Sequence, residues 1–342
     1  MATTAAVGTP TSPALVRRSW ELSQLASAVR AAPAVVVVEG EAGIGKTWLV
    51  TEVRDRLAAH RRFATGWCRS IRGAVSAGTR IEAVRGLGDR LGPSGLSPVA
   101  GALRPLLPEL ATMLPALPPD LDDRVAERHR VFRTLVEVLA AVGPAMLVLE
   151  DVHWADEQTV DFVSYLLGAP PPDLSVVVTL RGEEADPAVR ALAATLPRLV
   201  TRVELALRPL DWKGTGELAA AIPGTGHVSK DFASYLQERT SGLPFAIEEV
   251  LAVLRGRDPG RGDAYSRRAL EELDVPSGIR GPAMMRVSRL SPDARAVIDA
   301  AAVLKTTMPA AVVTATDLPY PAGPPVAGAG GRPRVRPAGR GR

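Results

Sequence analysis

The sequence predicts an α/β fold with a mostly parallel sheet, followed by an all-helical segment. Three observations predict it. Short apolar runs at 34–38, 146–149, 175–180 and 201–205 are rich in valine and leucine, as strands buried on both faces are. Patterns of helical period separate these runs, the alternation that yields parallel βαβ units. After residue 210 the strand signals fade and helical patterns remain.

Residues 1–13 read as a flexible N-terminus. Over 14–31, Leu15, Trp20, Leu22, Leu25, Ala28 and Val29 recur at helical spacing, and Pro33 ends that helix. The strand at 34–38 runs into a glycine-rich turn at 40–47, and a helix follows over 48–60. The stretch 86–123 is helical in parts and broken by Pro93, Pro98, Pro105, Pro108, Pro115, Pro118 and Pro119. A clear amphipathic helix covers 124–142 and leads to the strand at 146–149. The strands at 175–180 and 201–205 complete a first domain over 14–208. Helices are expected over 214–221, 230–240, 244–255, 266–273, 279–290 and 292–304, which places a second, helical domain at 209–305. Residues 306–342 shift to Pro, Gly, Ala and Arg. They hold too few large apolar groups to offset ordering entropy and read as a disordered tail.

The 342 residues are 46% hydrophobic, enough to build more than one core. No apolar stretch approaches the roughly 18 residues of a membrane span, and the first 20 residues lack the apolar centre of a secretory signal. Cys68 is the single cysteine, which excludes an intramolecular disulfide and suits a cytoplasmic location. The net charge is +4, yet Arg332, Arg334, Arg336, Arg340 and Arg342 sit in a tail segment without acids. The remainder is close to neutral, so no direct DNA binding is evident. His60, His129, His153 and His227 are scattered and show no metal-binding spacing. Ser164 and Ser175 lack a nucleophile-elbow context.

Gly40-Glu41-Ala42-Gly43-Ile44-Gly45-Lys46-Thr47 matches GxxxxGK[ST], the phosphate-binding P-loop. It follows an apolar strand and opens a helix, as its mechanism requires. Glycines let backbone N–H groups turn toward phosphate oxygens, and the helix directs its positive end at the same anion. Lys46 is expected to reach the β- and γ-phosphates and Thr47 to place its hydroxyl on Mg²⁺. The implied ligand is ATP, or ADP after hydrolysis.

The run 146–149 ends in Glu150-Asp151. In P-loop nucleoside triphosphatases such a strand is expected beside the P-loop strand. One carboxylate helps to hold Mg²⁺, through water, and a neighbour polarises the attacking water. By position Glu150 falls on the metal side and Asp151 on the catalytic side. His153 reads as a residue that orients the loop near the nucleotide, Trp154 and Trp67 as packing residues, and Asp156 as the cap of the next helix.

The continuation Leu149-Glu150-Asp151-Val152-His153-Trp154-Ala155-Asp156 resembles the "DDLHWAD" segment of the STAND-class AAA-type ATPase domain of large ATP-binding LuxR-type transcriptional regulators. Further matches occur in the same order. Residues 15–22 resemble the opening "LVGRE-x-EL", with the glycine replaced by Arg17 or Arg18. Residues 38–47 resemble the P-loop nearly verbatim. Residues 238–245, followed by Glu248-Glu249, resemble "ERTGGNPLFLEEL". Residues 275–304 resemble the start of a winged-helix region. The resemblance spans about 14 to 304. It implies a P-loop NTPase with a helical lid, acting as a switch that closes with ATP and remodels with ADP. It also implies that Arg181, in Thr179-Leu180-Arg181 after the third strand, senses the γ-phosphate, and that Pro244 packs near adenine. Taken alone, Arg181 also reads as a surface arginine at a strand end. An unidentified activating ligand or protein, and self-association on ATP binding, are the implied partners. The family usually continues to a C-terminal helix-turn-helix. Here the sequence after Lys305 resembles nothing in the family and reads as a truncated or out-of-frame end. The alternatives to a switch are a stand-alone Orc1-like ATPase with real turnover, or an inactive nucleotide-binding fragment.

Overall fold

The computed structural model describes residues 15–68, 78–87, 95–182, 184–192, 197, 200–222, 228–257, 265–288 and 290–304. The expectations for 1–13 and 306–342 lie outside the described residues. The chain divides into two compact units between Asp274 and Val275.

The first unit is built on one five-stranded sheet. Its strands are β1 (Ala34–Glu39), β2 (Arg62–Trp67), β3 (Ala145–Glu150), β4 (Leu174–Leu180) and β5 (Thr201–Ala206). Their order is β2-β3-β4-β1-β5, and every neighbouring pair is parallel. β3 and β4 are buried along their whole length, and β1 is buried up to Val38. Successive side chains feed opposite faces. Val35, Val37, Leu147, Leu149, Val176 and Val178 enter one core, while Val36, Val38, Met146, Val148 and Val177 enter the other. Helix α1 (Ser19–Arg30) and helix α2 (Lys46–Leu57) supply Leu25, Val29, Leu49 and Val53 to the second core. The first core takes Ile81 and Val84 from α3 (Gly78–Arg85), Phe132 and Leu135 from α4 (Arg124–Ala141), and Phe162 and Leu166 from α5 (Glu157–Gly168). The result is three layers, helices on both faces of a parallel sheet.

Two differences from the sequence reading are physical. β2 escapes a pattern search because it is an edge strand: its sequence Arg-Phe-Ala-Thr-Gly-Trp buries only Ala64 and Gly66. The strand that carries Glu150 does not lie beside the P-loop strand, because β4 is inserted between β3 and β1. That insertion shapes the candidate site.

Among the described residues, only helices follow β5. After the short α6 (Pro187–Ala191), which precedes β5, these are α7 (Trp212–Ala221), α8 (Lys230–Thr240), α9 (Pro244–Arg257) and α10 (Arg267–Glu271). All four belong to the same compact unit as the sheet. The contact boundary therefore falls at 274/275, whereas residue 209 marks where strand structure gives way to helix. The second unit holds α11 (Ser277–Val287) and α12 (Pro292–Leu304). Side-chain caps start several helices: Asp123 accepts from Val125 N, Asp156 from Thr159 N, Asp211 from Gly214 N and Ser229 from Phe232 N. No described helix is long and apolar enough to cross a membrane.

Burial predicts how the strands share the stability. Val36→Ala in β1, at a position fully shielded from water, is expected to cost about 2–3 kcal/mol. The same deletion at half-buried Val203, on edge strand β5, should cost less than half of that. Urea unfolding of both variants measures the difference, and equal losses would contradict the two-faced burial of β1.

Candidate nucleotide site

All five strands run in one direction, so their carboxyl ends gather at one edge. The loop 40–47 leaves β1 at that edge. Gly40 N–H donates to Leu180 O at the end of β4, at 3.2 Å, which continues the strand pairing into the loop. Gly45 then adopts φ +100°, a conformation that suits glycine, and a Cβ there would meet open space. Gly43 is required for a second reason. It has φ +77°, and a Cβ would lie 2.8 Å from Phe245 Cβ. Helix α2 starts at Lys46 with no acid in its first turn, so nothing on the helix offsets its positive end. Lys46 is buried. Its Nζ donates to Gly40 O at 2.7 Å and Glu41 O at 2.9 Å, two carbonyls of its own loop. Desolvation pushes the Lys46 pKa down, and Asp151 pulls it back up. Glu41 itself is exposed.

Glu150 ends β3 with 2% of its surface exposed. One of its oxygens, Oε2, accepts from Thr179 Oγ1 at 2.6 Å and from Thr47 Oγ1 at 3.3 Å. Thr179 is on β4, so the inserted strand is what holds the carboxylate in place. The same hydroxyl accepts from Asp151 N–H at 2.9 Å. Asp151 turns the chain with φ +56°, and its side chain is partly exposed where that of Glu150 is buried. Burial raises the Glu150 pKa; the Thr179 hydrogen bond opposes that rise and the Asp151 charge adds to it. A buried carboxylate beside a threonine hydroxyl is the hard-oxygen environment that Mg²⁺ prefers, so these residues fit that ion. Among the described residues no cluster of three or more His, Cys, Asp or Glu side chains offers another kind of metal site.

The rim brings together residues from distant parts of the chain. Arg181 follows β4 with its side chain 17% exposed, so it is not a solvated surface arginine. It pairs with Glu184 and lies over Trp154. His153 is buried between Asp151 and Glu184. Phe245 N–H, at the start of α9, donates to Gly43 O at 3.1 Å. Pro244 is therefore placed next to the loop, half-buried at the first position of α9. Of the two candidates for the substituted glycine, Arg17 has the glycine-like backbone, φ +53°. Its Nε donates to Glu217 of α7 at 3.0 Å, while buried Arg18 donates to Arg208 O and to Glu21.

The structure thus joins Lys46, Thr47, Glu150 and Asp151 at one strand edge, with Arg181 and Pro244 on its borders. Thr179 as the support of Glu150, Glu184 as the partner of Arg181, and Phe245 as a contact of the loop were not singled out from the sequence. Thr179 had a visible signal, a hydroxyl at the end of an otherwise apolar strand. Glu184 and Phe245 had none.

The family model of the AAA ATPase domain matches residues 14–179. An uncharacterized protein of Rhizobium meliloti (strain 1021) is 30% identical over 239 residues, 63% of this chain; the chain spans 22% of that relative's length. The fold is similar to a Walker-type ATPase of Pyrococcus abyssi, with a TM-score of 0.51 and 17% identity over 88% of this chain and 87% of that one. It is also similar to the Aeropyrum pernix ORC2 protein, solved as ADPNP–ADP complexes, with a TM-score of 0.55 and 11% identity over 89% of this chain and 80% of that one. The α/β fold with its parallel five-stranded sheet is the one shared with these ATPase structures.

Glu150 gives a pH test of this geometry. Its folded pKa is raised above the ordinary 4.5. The stability linked to it is therefore fully present below the unfolded value and is lost as pH rises through the folded value. Glu150→Gln should flatten that decline in nucleotide-free protein and leave the variant more stable than wild type near neutral pH. Urea midpoints from about pH 4 to about pH 8 measure it. Parallel curves for the two proteins would show that Glu150 titrates normally.

Proposed function

We propose that this chain binds ATP with Mg²⁺ at the loop 40–47 and acts as a nucleotide-dependent signalling switch that hydrolyses ATP slowly or only when assembled. One observation carries the reading. Lys46, Thr47 and buried Glu150 converge at the carboxyl edge of the parallel sheet, and Thr47 and Glu150 already touch. Lys46 exchanges its two loop carbonyls for β- and γ-phosphate oxygens, a replacement of neutral acceptors by charged ones. The free N–H groups at the start of α2 face the same anion. Thr47 and Glu150 hold the metal side, Glu150 through water. Mg²⁺ bound there would offset phosphate charge together with Lys46 and Arg181. Asp151, more exposed than Glu150, is the carboxylate that orients a water toward the γ-phosphate. Arg181 stabilises the charge that develops there. Pro244 and its neighbour Phe245 border the base.

The finer assignment is to an ATPase domain of the kind carried by large LuxR-type regulators. Two findings support it. The motifs run in the family's order from 14 to 304, and the chain aligns with 22% of a much longer curated protein. Association of ATP-bound copies, or docking of an activating partner, would be the output of the switch.

Calorimetry with Mg-ATP and Mg-ADP on wild type and Lys46→Ala, with phosphate release followed alongside, tests the reading. Loss of the charged contacts of Lys46 should weaken ATP about 10- to 100-fold, and wild-type release should be slow. Fast basal turnover would favour a stand-alone ATPase. A folded wild-type protein that binds neither nucleotide would overturn the reading.

A further inference from the structure

Trp154 stands between the two strand ends that carry the acids and the arginine. It is half-buried and packs against the first core. The short helical turn Val152–Trp154 follows directly on Asp151, and Trp154 N–H donates to Asp151 O at 2.9 Å. From that turn the ring reaches across to the end of β4. The Arg181 guanidinium lies over the indole, 5.1 Å from the ring centre. The backbone brings Arg181 to the phosphate loop. Leu180 O, one residue before it, accepts from Gly40 N–H at 3.2 Å, and Arg181 O accepts from Glu184 N–H at 3.2 Å.

The Arg181 side chain uses only part of its hydrogen-bonding capacity. Nη1 donates to Glu184 Oε1 at 2.8 Å, while Nε is buried without a hydrogen-bond partner. A guanidinium donates in a fixed plane and keeps its charge, so it cannot escape that cost by losing a proton. A buried donor without an acceptor is unfavourable. The indole face attracts the cation, more strongly where water is excluded, yet accepts no conventional hydrogen bond from it. The ring therefore stabilises the charge and leaves the Nε donor open. An anion is the partner that would use it. Desolvation is the main cause of the lowered Lys46 pKa, the Asp151 charge opposes it, and the Arg181 charge lowers it further. The two cations thus oppose each other across this edge, and a phosphate bound by both would relieve the repulsion.

We propose that Trp154 is the positioning residue of Arg181: its ring seats the guanidinium beside the phosphate loop with one N–H held for the γ-phosphate, and so sets how strongly ATP is preferred over ADP. Trp154 acts through Arg181 and not on the nucleotide. Its N–H is bonded to Asp151 O, so the turn that carries the acid also fixes the ring. The part that concerns nucleotide rests on the ATP reading above. The seat of Arg181 on the ring does not.

Two measurements separate these parts. In nucleotide-free protein, nitrogen-15 NMR follows the Arg181 Nε–H, assigned by its loss in Arg181→Lys. The indole ring current should displace this resonance in wild type, displace it less in Trp154→Phe, and release it in Trp154→Leu. A resonance that Trp154→Leu leaves in place overturns the seat. In titrations, Trp154→Leu should weaken Mg-ATP about tenfold and leave Mg-ADP unchanged, as expected for a desolvated cation–π contact that acts only on the γ-phosphate. Trp154→Phe, which keeps an aromatic face, should restore most of the affinity, and the loss should vanish in the Arg181→Ala background. Fluorinated tryptophan at position 154 keeps the shape and withdraws the negative face, so it should also weaken Mg-ATP even where Trp154→Leu does not fold. Equal losses for both nucleotides, a loss that persists without Arg181, or full ATP affinity with the fluorinated ring overturns the positioning role. If wild type binds neither nucleotide, the ATP reading fails while the NMR measurement still decides the seat.

Discussion

The burial of β1, β3 and β4 on both faces constrains everything else in the sheet-bearing unit. Strands with no solvated face must be covered by helices on both sides, and parallel neighbours can be joined only by crossovers long enough to hold such helices. Every crossover returns the chain to the same starting edge, so every strand ends at the other. The loop after Glu39, the acids at Glu150 and Asp151, and Arg181 after Leu180 are spread over more than 140 positions of sequence. Packing of the valines and leucines, with the register of the parallel strand pairs, brings them to one edge.

The polar groups at that edge are held in a state that solvent would not choose. Burial pushes the Lys46 pKa down and the Glu150 pKa up, so each charge is disfavoured where it stands. Their hydrogen-bond partners are neutral, loop carbonyls for Lys46 and threonine hydroxyls for Glu150, and only charges at longer range, such as that of Asp151 on Lys46, oppose the shifts. Such partners stabilise a charge less than an opposite charge does. A phosphate at Lys46 and a cation at Glu150 would each relieve a desolvation cost already incurred in folding. This preorganisation is what distinguishes the edge from a glycine-rich turn that happens to precede a helix.

How much of this was legible in the sequence depended on the physical origin of each feature. β1, β3 and β4 were legible because two-sided burial writes a continuous apolar run. β2 was not, because an edge strand that buries Ala64 and Gly66 leaves no such run. The loop was legible residue by residue, since backbone geometry fixes its glycines and chemistry fixes Lys46 and Thr47. The neighbour of β3 was misplaced because strand order is not a local property. Only with β4 known to intervene does Thr179 acquire its role beneath Glu150. The Arg181–Glu184 pair and the two-sided position of His153 depend on the conformation of a loop after β4 and on the left-handed turn at Asp151. Neither leaves a pattern in composition or spacing.

A loop that binds phosphate becomes a switch only if its shape is felt elsewhere, and here the route is short. Gly43 gives its carbonyl to Phe245 N–H and has no room for a Cβ against the Phe245 side chain. The start of α9 therefore rests directly on the loop, and a change of backbone there must be met by a shift of α9 or by loss of that bond. Arg17, strained at positive φ, reaches Glu217 of α7 and ties the start of the chain's first helix to the helical segment. Helices α7 and α9 belong to the same compact unit as the sheet, so both contacts are internal to one packed body. A nucleotide can bias such a body only by the difference in its affinity for two arrangements. The contact at Gly43 is where that difference would be expressed: it joins the loop to the helical segment without passing through the close-packed strands, which tolerate little change of shape.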